Sequence, residues 1–430
     1  MSSVYESMTT EQLDDEIAQL EGEVEKLRAR GLKLDMTRGK PSPEQVDLSR
    51  PMLDVLNSTS ELIDDGVDAG NYGCPDGAPS ARRLMADVLG VSPESVILGG
   101  SSSLNIMNDV VVHGWIHGVQ GHEPQALQAQ RTPLKFLCPS PGYDRHFAVS
   151  ASVGFENVPV RMTADGPDMD EVERLVEGDP TVKGIWCVPK YSNPTGITYT
   201  DEVVRRFAAL KPAAPDFRIF WDNAYIVHDL TGEPDQLLEV FGAISEAGND
   251  DLVYEFASTS KVTFPGSGIA CVAASPADLA DLRAGFGIER VCSDKLSQLA
   301  HARWLHDAAG VRAHMADQAR ILRPRFELVE SKLTEGLADL GCATWSHPRG
   351  GYFVSFDGPK GSAKAIVALA AELGVKMTDA GATWPGGNDP DDTNIRIAPS
   401  YPSLEDLGGA LDVFCACVRL VSARLARKAR

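Results

Sequence analysis

Gly184-Ile-Trp-Cys-Val-Pro-Lys-Tyr-Ser-Asn-Pro-Thr-Gly196 is an apolar run that ends in a polar turn. The same design recurs twice. Phe217-Arg-Ile-Phe-Trp221 leads into Asp222-Asn-Ala-Tyr225, and Leu252-Val-Tyr-Glu-Phe256 leads, after Ala257, into Ser258-Thr-Ser-Lys261. Val96 to Leu98, Leu134 to Leu137, Val158 to Val160 and Ile269 to Ala273 are further short apolar runs, separated by segments of helical periodicity. Runs of this length, rich in β-branched and aromatic residues, predict a mostly parallel sheet sandwiched by helices. Functional groups on such a sheet gather at the carboxyl ends of its strands. Asn193, Asp222 with Tyr225, and Lys261 are therefore expected to face one crevice. The run at 96–98 ends in Gly99-Gly-Ser-Ser-Ser103 before a helical stretch. Glycines there permit close backbone approach, and a helix N-terminus offers free N–H groups, so this segment reads as an anion cradle.

Outside this alternation the pattern changes. Leu13, Ile17, Leu20, Val24 and Leu27 recur at spacings of four and three, which predicts a helix over about Thr9 to Arg30. Thr9 with Gln12 forms a capping box, Gly31 is a stop, and the apolar stripe is expected to dock on its own domain or a subunit partner. Met36 to Pro43 reads as an extended crossing segment. A long helical stretch (His314 to Leu340), strand-like Gly351 to Phe356, a helix near Ala363 to Leu373, a strand at Thr393 to Ala398 and a terminal helix make a smaller α+β unit. The expected division is a large domain over 53–310 and a small domain from 1–52 with 311–430.

The chain has 430 residues, 40 Lys+Arg against 61 Asp+Glu, and a net charge of −21, which disfavours nucleic-acid binding. With 43% hydrophobic and 23% charged residues it has the composition of a folded globular protein. No stretch approaches the roughly 18 to 20 apolar residues that span a bilayer, and the N-terminus MSSVYESMTTEQLDDE is acidic, unlike a signal peptide. A cytoplasmic protein is expected. Eight scattered cysteines without a CxxC pair argue against a disulfide framework. There is no GxxxxGK[ST], and Gly266 with Gly268 is followed by Cys271 rather than by the glycine of GxGxxG. His113 and His117 share a helix face, but no acidic ligand set completes a metal site.

Singly, each polar strand end is ordinary: NPTG a turn, SSS a helix cap, Asp222 a solvated strand end, Lys261 a surface lysine. Their joint order is not. A lysine, a carboxylate to pair with a pyridinium, hydroxyl donors and a phosphate cradle match what pyridoxal phosphate (PLP) needs.

The sequence also resembles the class I, fold-type I PLP-dependent aminotransferases, and in particular an atypical bacterial subgroup of aspartate aminotransferases. The matching pieces are Asn71-Tyr72-Gly73, Gly100-Ser101-Ser102, Pro141-Gly-Tyr143, Asn193-Pro-Thr-Gly196, Asp222 with Tyr225, Ser258-Thr-Ser-Lys261, Gly350-Gly-Tyr-Phe353, and Arg396 in Asn-Ile-Arg-Ile. They span about residues 39 to 400 in the family's order. The resemblance implies that Lys261 joins the PLP aldehyde as an imine and later moves the substrate proton, while Asp222 keeps the pyridine nitrogen protonated. It implies that Asn193 and Tyr225 bond the ring oxygen, that Tyr143 stacks on the ring, and that Ser101, Ser102, Ser103 and Ser258 hold the phosphate, with Tyr72 reaching it from a second subunit. Arg396, between Ile395 and Ile397, would clamp the substrate α-carboxylate, and Gly39 would close over it. A homodimer with sites at the subunit interface follows.

One departure stands out. The family commonly carries a phosphate-gripping arginine seven or eight residues after the lysine, where this chain has Gly268 and Ile269. Ser103, Ser260 and Ser267 are the expected substitutes. The expected reaction is transfer of the amino group of an L-amino acid, L-aspartate foremost, to a 2-oxo acid such as 2-oxoglutarate. Arg290, ahead of Lys295, Arg38 and Lys40, is the expected cation for a distal carboxylate. The alternatives are an aminotransferase of aromatic or alanine specificity, a PLP-dependent lyase or decarboxylase, and a non-catalytic PLP-binding regulator module.

Overall fold

The computed structural model describes residues 3–430. Among them the seven apolar runs form one sheet: β1 (Val96–Leu98), β2 (Lys135–Ser140), β3 (Glu156–Arg161), β4 (Val182–Cys187), β5 (Arg218–Asp222), β6 (Val253–Ser258) and β7 (Ala270–Ala273). Their spatial order is β1-β7-β6-β5-β4-β2-β3, and only β7 runs antiparallel to its neighbours. β4, β5 and β6 are therefore adjacent and parallel, with Cys187 beside Trp221 and Asp222 beside Phe256. Their carboxyl ends emerge on one side by register alone.

Seven helices carry the argument: α1 (Thr10–Ala29), α2 (Ser103–His117), α3 (Asp144–Val153), α4 (Pro276–Glu289), α5 (Lys295–Leu305), α6 (Ala308–Leu337) and α7 (Leu404–Lys428). Strand alternation sends Trp186, Phe220, Tyr254 and Phe256 into a core with Ile106 and Met107 of α2 and Leu282 of α4. Ile185, Ile219, Trp221 and Val253 face the helices at 169–178 and 201–208 on the other side. A sheet buried on both faces needs apolar residues at every position, which is why its runs read as continuous rather than alternating. His113 joins α2 to α4, its Nε2 lying 3.0 Å from Asp281 Oδ2. Among the described residues no helix is long and apolar enough to cross a membrane.

The smaller part holds an antiparallel sheet of β8 (Thr344–Trp345), β9 (Val354–Asp357) and β10 (Asn394–Ile397), packed with α1, α6 and α7. The N-terminal stripe docks within the chain: Leu13, Leu20 and Val24 are buried with residues of α7, and Arg419–Glu23 and Arg427–Asp14 pairs flank the seam. Thr9 caps α1 through the expected reciprocal bonds with Gln12. After α1 the chain crosses the molecule, and Leu34–Asp35 pairs in parallel with Val375–Lys376. That pairing delivers Thr37 to Gly39 to the rim of the crevice.

One carboxyl lies deep in the large sheet. Glu255 on β6 is 3% exposed; its Oε1 accepts from Asn223 Nδ2 at 2.9 Å, and its Oε2 has no partner. Burial pushes it up to about 8, against the Asn223 hydrogen bond and with help from the Glu239 charge. A folded-state value above the unfolded one adds stability that is complete below about pH 4.5 and is lost as pH rises to about 8. Glu255→Gln has no such proton to lose. The apparent Tm of the native protein, relative to this variant, is expected to fall by a few degrees between mildly acidic and mildly alkaline pH. A difference that does not change with pH would refute the assignment.

Candidate active site

The ends of β4, β5, β6 and β10, with the crossing segment, enclose a cavity of about 540 Å³ whose walls include Gly39, Tyr143, Asn193, Tyr225, Lys261 and Arg396. Lys261 follows β6, and its Nζ lies 5.0 Å from the centroid of the Tyr225 ring. Withdrawal from water lowers the affinity of this amine for its proton; Asp222 opposes that shift and Arg396 adds to it. The ammonium is thus held below the ordinary lysine range by a balance of named neighbours.

Asp222 closes β5 and is 3% exposed. Its Oδ2 lies 2.9 Å from His146 Nε2, while Oδ1 has no partner. His146 in turn stacks on Trp186, with centroids 4.5 Å apart and planes 14° apart, and meets Tyr143 edge-on. One carboxylate oxygen is therefore fixed and the other left over. Sequence reasoning passed over His146. The available signal was its position one helical turn after Tyr143, which caps α3. Tyr225, buried between Lys261 and Tyr352, has its hydroxyl pushed well up by burial and by the Tyr143 and Asp222 charges.

Asn193, at the turn after β4, accepts from Arg396 Nη1 at 3.3 Å. Arg396 projects from β10 opposite Ile395 and Ile397, which join the core, so strand alternation aims it at the cavity. Its guanidinium lies 4.9 Å from the Phe353 ring centroid, and Nη1 also donates to Asp144 Oδ1 at 3.0 Å. Gly39 touches the same ring: a Cβ there would sit 2.3 Å from Phe353, so only glycine lets the crossing segment come this close.

The serines form a knitted wall. Ser102 caps α2, Ser103 is buried in its first turn, Ser258 Oγ donates to Ser260 Oγ at 3.1 Å, and Ser260 Oγ donates to Ser101 O at 2.9 Å. Gly268 is pressed between them. A Cβ there would lie 2.7 Å from Ser101 O and 3.1 Å from Ser260 N, so the first of the two positions where the family carries its arginine has no room for a side chain, and the second, Ile269, is buried in the core. Ser267 is turned toward α5, where its carbonyl accepts from Ser297 Oγ at 2.9 Å.

Arg290, Tyr72, Lys295 and Lys40 stand apart from the cavity within this chain, and Asp222 and the serines lie behind its lining rather than in it. Arg290 pairs with Asp109 at 3.1 Å and packs against Gly99 and Phe286. Tyr72 is 82% exposed on a loop held by Lys295, whose Nζ donates to the carbonyls of Asn71 and Gly73. Lys40 lies over the Tyr401 ring. Arg38 and Arg145 do line the cavity. Arg145 was not among the residues singled out from the sequence.

A lysine, a half-partnered carboxylate and a buried arginine around one crevice, at the strand ends of this α/β sheet, are the arrangement of a fold-type I aminotransferase. The aspartate aminotransferase family model matches residues 8–429. An aspartate aminotransferase of Corynebacterium glutamicum is 44% identical over 399 residues, 93% of this chain and 92% of that one. A solved aspartate transaminase from the same organism superposes with a TM-score of 0.95 at 42% identity, covering 99% of this chain and 100% of the other. The α-aminoadipate aminotransferase of Thermus thermophilus, solved with N-(5'-phosphopyridoxyl)-L-leucine, shares the fold at a TM-score of 0.72 and 20% identity, over 92% of this chain and 95% of its own. The chain belongs to the aspartate aminotransferase family and is an aminotransferase.

The contacts of Gly268 are directly testable. Gly268→Ala must move the Ser101 or Ser260 backbone, and overpacking of this kind costs about 1–3 kcal/mol. Urea unfolding of the variant is expected to show that loss; native stability would mean the three loops do not meet as described.

Proposed function

We propose that the protein is a PLP-dependent aspartate aminotransferase of the cytoplasm that transfers the amino group of L-aspartate to 2-oxoglutarate and works as a homodimer. The observation that carries this reading is the half-satisfied carboxylate of Asp222, buried where its charge acts on Lys261, while Lys261 and Arg396 line one cavity. The residues fit PLP. Asp222 has an oxygen left for a pyridinium N–H, Lys261 is an amine of lowered proton affinity, and the serine wall with the α2 N-terminus suits a phosphate. Bound there, PLP supplies an aldehyde carbon that takes the amino group and a ring that accepts the electrons released at the substrate α-carbon.

The chain's own residues do the rest. Lys261, an amine of lowered proton affinity, would take the proton from the substrate α-carbon and deliver it to the carbon that the PLP aldehyde supplies. Asp222, oriented by His146, holds the ring-nitrogen proton. Asn193 and Tyr225 would donate to the ring oxygen, Tyr143 would cover the ring face, and Ser101, Ser102, Ser103 and Ser258 would bond the phosphate, with Tyr72 of a second copy. Arg396 takes the α-carboxylate and Gly39 closes over it. For the second carboxylate of aspartate we favour Arg38. It lines the cavity beside Gly39 and has no ion-pair partner among the described residues, whereas Arg290 is paired with Asp109.

Support for the dimer comes from exposed apolar side chains around α5: Leu53, Tyr72, Ile288, Val291 and Leu296. α5 packs against the turn that carries Leu53, and Lys295 ties it to the Tyr72 loop. Large apolar side chains exposed on neighbouring segments are typical of a subunit contact. Sedimentation equilibrium is expected to give twice the chain mass.

The reaction is tested on purified protein reconstituted with PLP. L-aspartate should shift the absorbance of the bound cofactor with release of oxaloacetate, 2-oxoglutarate should restore it, and Lys261→Ala should do neither. Release of carbon dioxide or ammonia in place of the oxo acid would overturn the assignment. Arg38→Ala is expected to lower kcat/KM for aspartate at least about tenfold more than for alanine. If Arg290→Ala does so instead, the second carboxylate is held from the partner subunit.

A further inference from the structure

The carboxylate on Arg396 in this structure is Asp144. Its Oδ1 lies 3.0 Å from Arg396 Nη1, and its Oδ2 lies 3.9 Å from Arg145 Nε. The two sides of the pair differ in exposure. Arg396 is 8% exposed, wedged over Phe353, while the Asp144 side chain is 31% exposed and the Arg145 side chain 66%. Both Asp144 and Arg145 line the cavity. A buried guanidinium without a counter-charge is costly, and a bidentate grip on a substrate carboxylate needs two of its N–H groups. Nε is buried, so the grip falls to Nη1 and Nη2, and Nη1 is already divided between Asp144 and Asn193.

We infer that Asp144 is an internal competitor for the substrate α-carboxylate: it neutralises Arg396 in the ligand-free site and must leave when an amino acid or oxo acid binds. The exchange swaps one carboxylate for another, so Arg396 keeps a counter-ion throughout. Arg145, already close to the second Asp144 oxygen, is in place to receive the displaced group. Asp144 begins α3, so its charge also stays at a helix N-terminus after it leaves Arg396. The cost of displacement falls on every substrate alike, because the α-carboxylate is the group they share. Apparent affinity is reduced by the fraction of sites in which Arg396 is free. This inference rests on the reading of Arg396 as the α-carboxylate site.

The test uses the PLP-loaded dimer and maleate, an unreactive dicarboxylate, titrated by calorimetry. Asp144→Asn keeps the side-chain size and removes the charge. It is expected to tighten maleate about tenfold and to lower KM for aspartate and for alanine by one common factor. Asp144→Ser is measured in parallel, and the variant with the more native melting curve decides. Unchanged or weaker maleate binding would overturn the inference and make Asp144 a support for Arg396. Arg396→Lys separates the two readings. If it leaves maleate binding unaltered, the assignment of Arg396 itself fails, whatever the Asp144 variants do.

Discussion

Lys261 stands between a carboxylate that holds its proton and a guanidinium that repels it, in a pocket where burial also disfavours the charged form. An aminotransferase needs this amine to be a base near neutral pH, and an exposed lysine is not one. The balance depends on where three strands end. Asp222 is the last residue of β5, Lys261 follows β6, and Asn193 follows β4, so any change of register would separate them. The continuous apolar cores on both sheet faces fix that register, and thereby fix the proton affinity of one side chain.

Arg396 comes from the other sheet and from near the opposite end of the chain. It reaches the cavity because β10 pairs with β9, whose preceding segment supplies Phe353, and because Gly39 lets the crossing strand lie against that ring. Three remote segments therefore meet at one aromatic side chain. The tight fit at Gly39 and the tight fit at Gly268 serve different ends. The first brings backbone over the substrate arginine, and the second brings three loops together where a phosphate would sit.

Much of this was legible before any coordinates. The seven runs, the strand ends at 193, 222 and 261, the α1 stripe with its capping box, and the outward aim of Arg396 all rest on short-range periodicity or local turn chemistry. What stayed hidden depends on tertiary neighbours. The absence of an arginine at Gly268 and Ile269 was visible in the sequence; that the backbone of Ser101 lies where a side chain at Gly268 would go was not. His146 looks like any helix histidine until Asp222 and Trp186 close on it. Arg290 looked like the free cation, but Asp109, nearly two turns along α2 from the serines, pairs with it within the chain.

The net charge of −21 and the character of the cavity also part ways for a physical reason. Arg38, Arg145, Lys376 and Arg396 line the cavity against Asp144 and Asp379, beside the Lys261 amine of lowered proton affinity. An acidic surface repels a dicarboxylate at long range, but salt screens that repulsion beyond about 8 Å at physiological ionic strength. Selection for a dicarboxylate is therefore left to contacts inside the cavity, where screening is weak and each charge is placed. An uncompensated ring of cations there would hold any anion of the cell. A resident carboxylate on Arg396 lowers that general attraction and leaves an advantage to ligands that can displace Asp144 and also reach a second cation, which a dicarboxylic amino acid does and a simple anion does not.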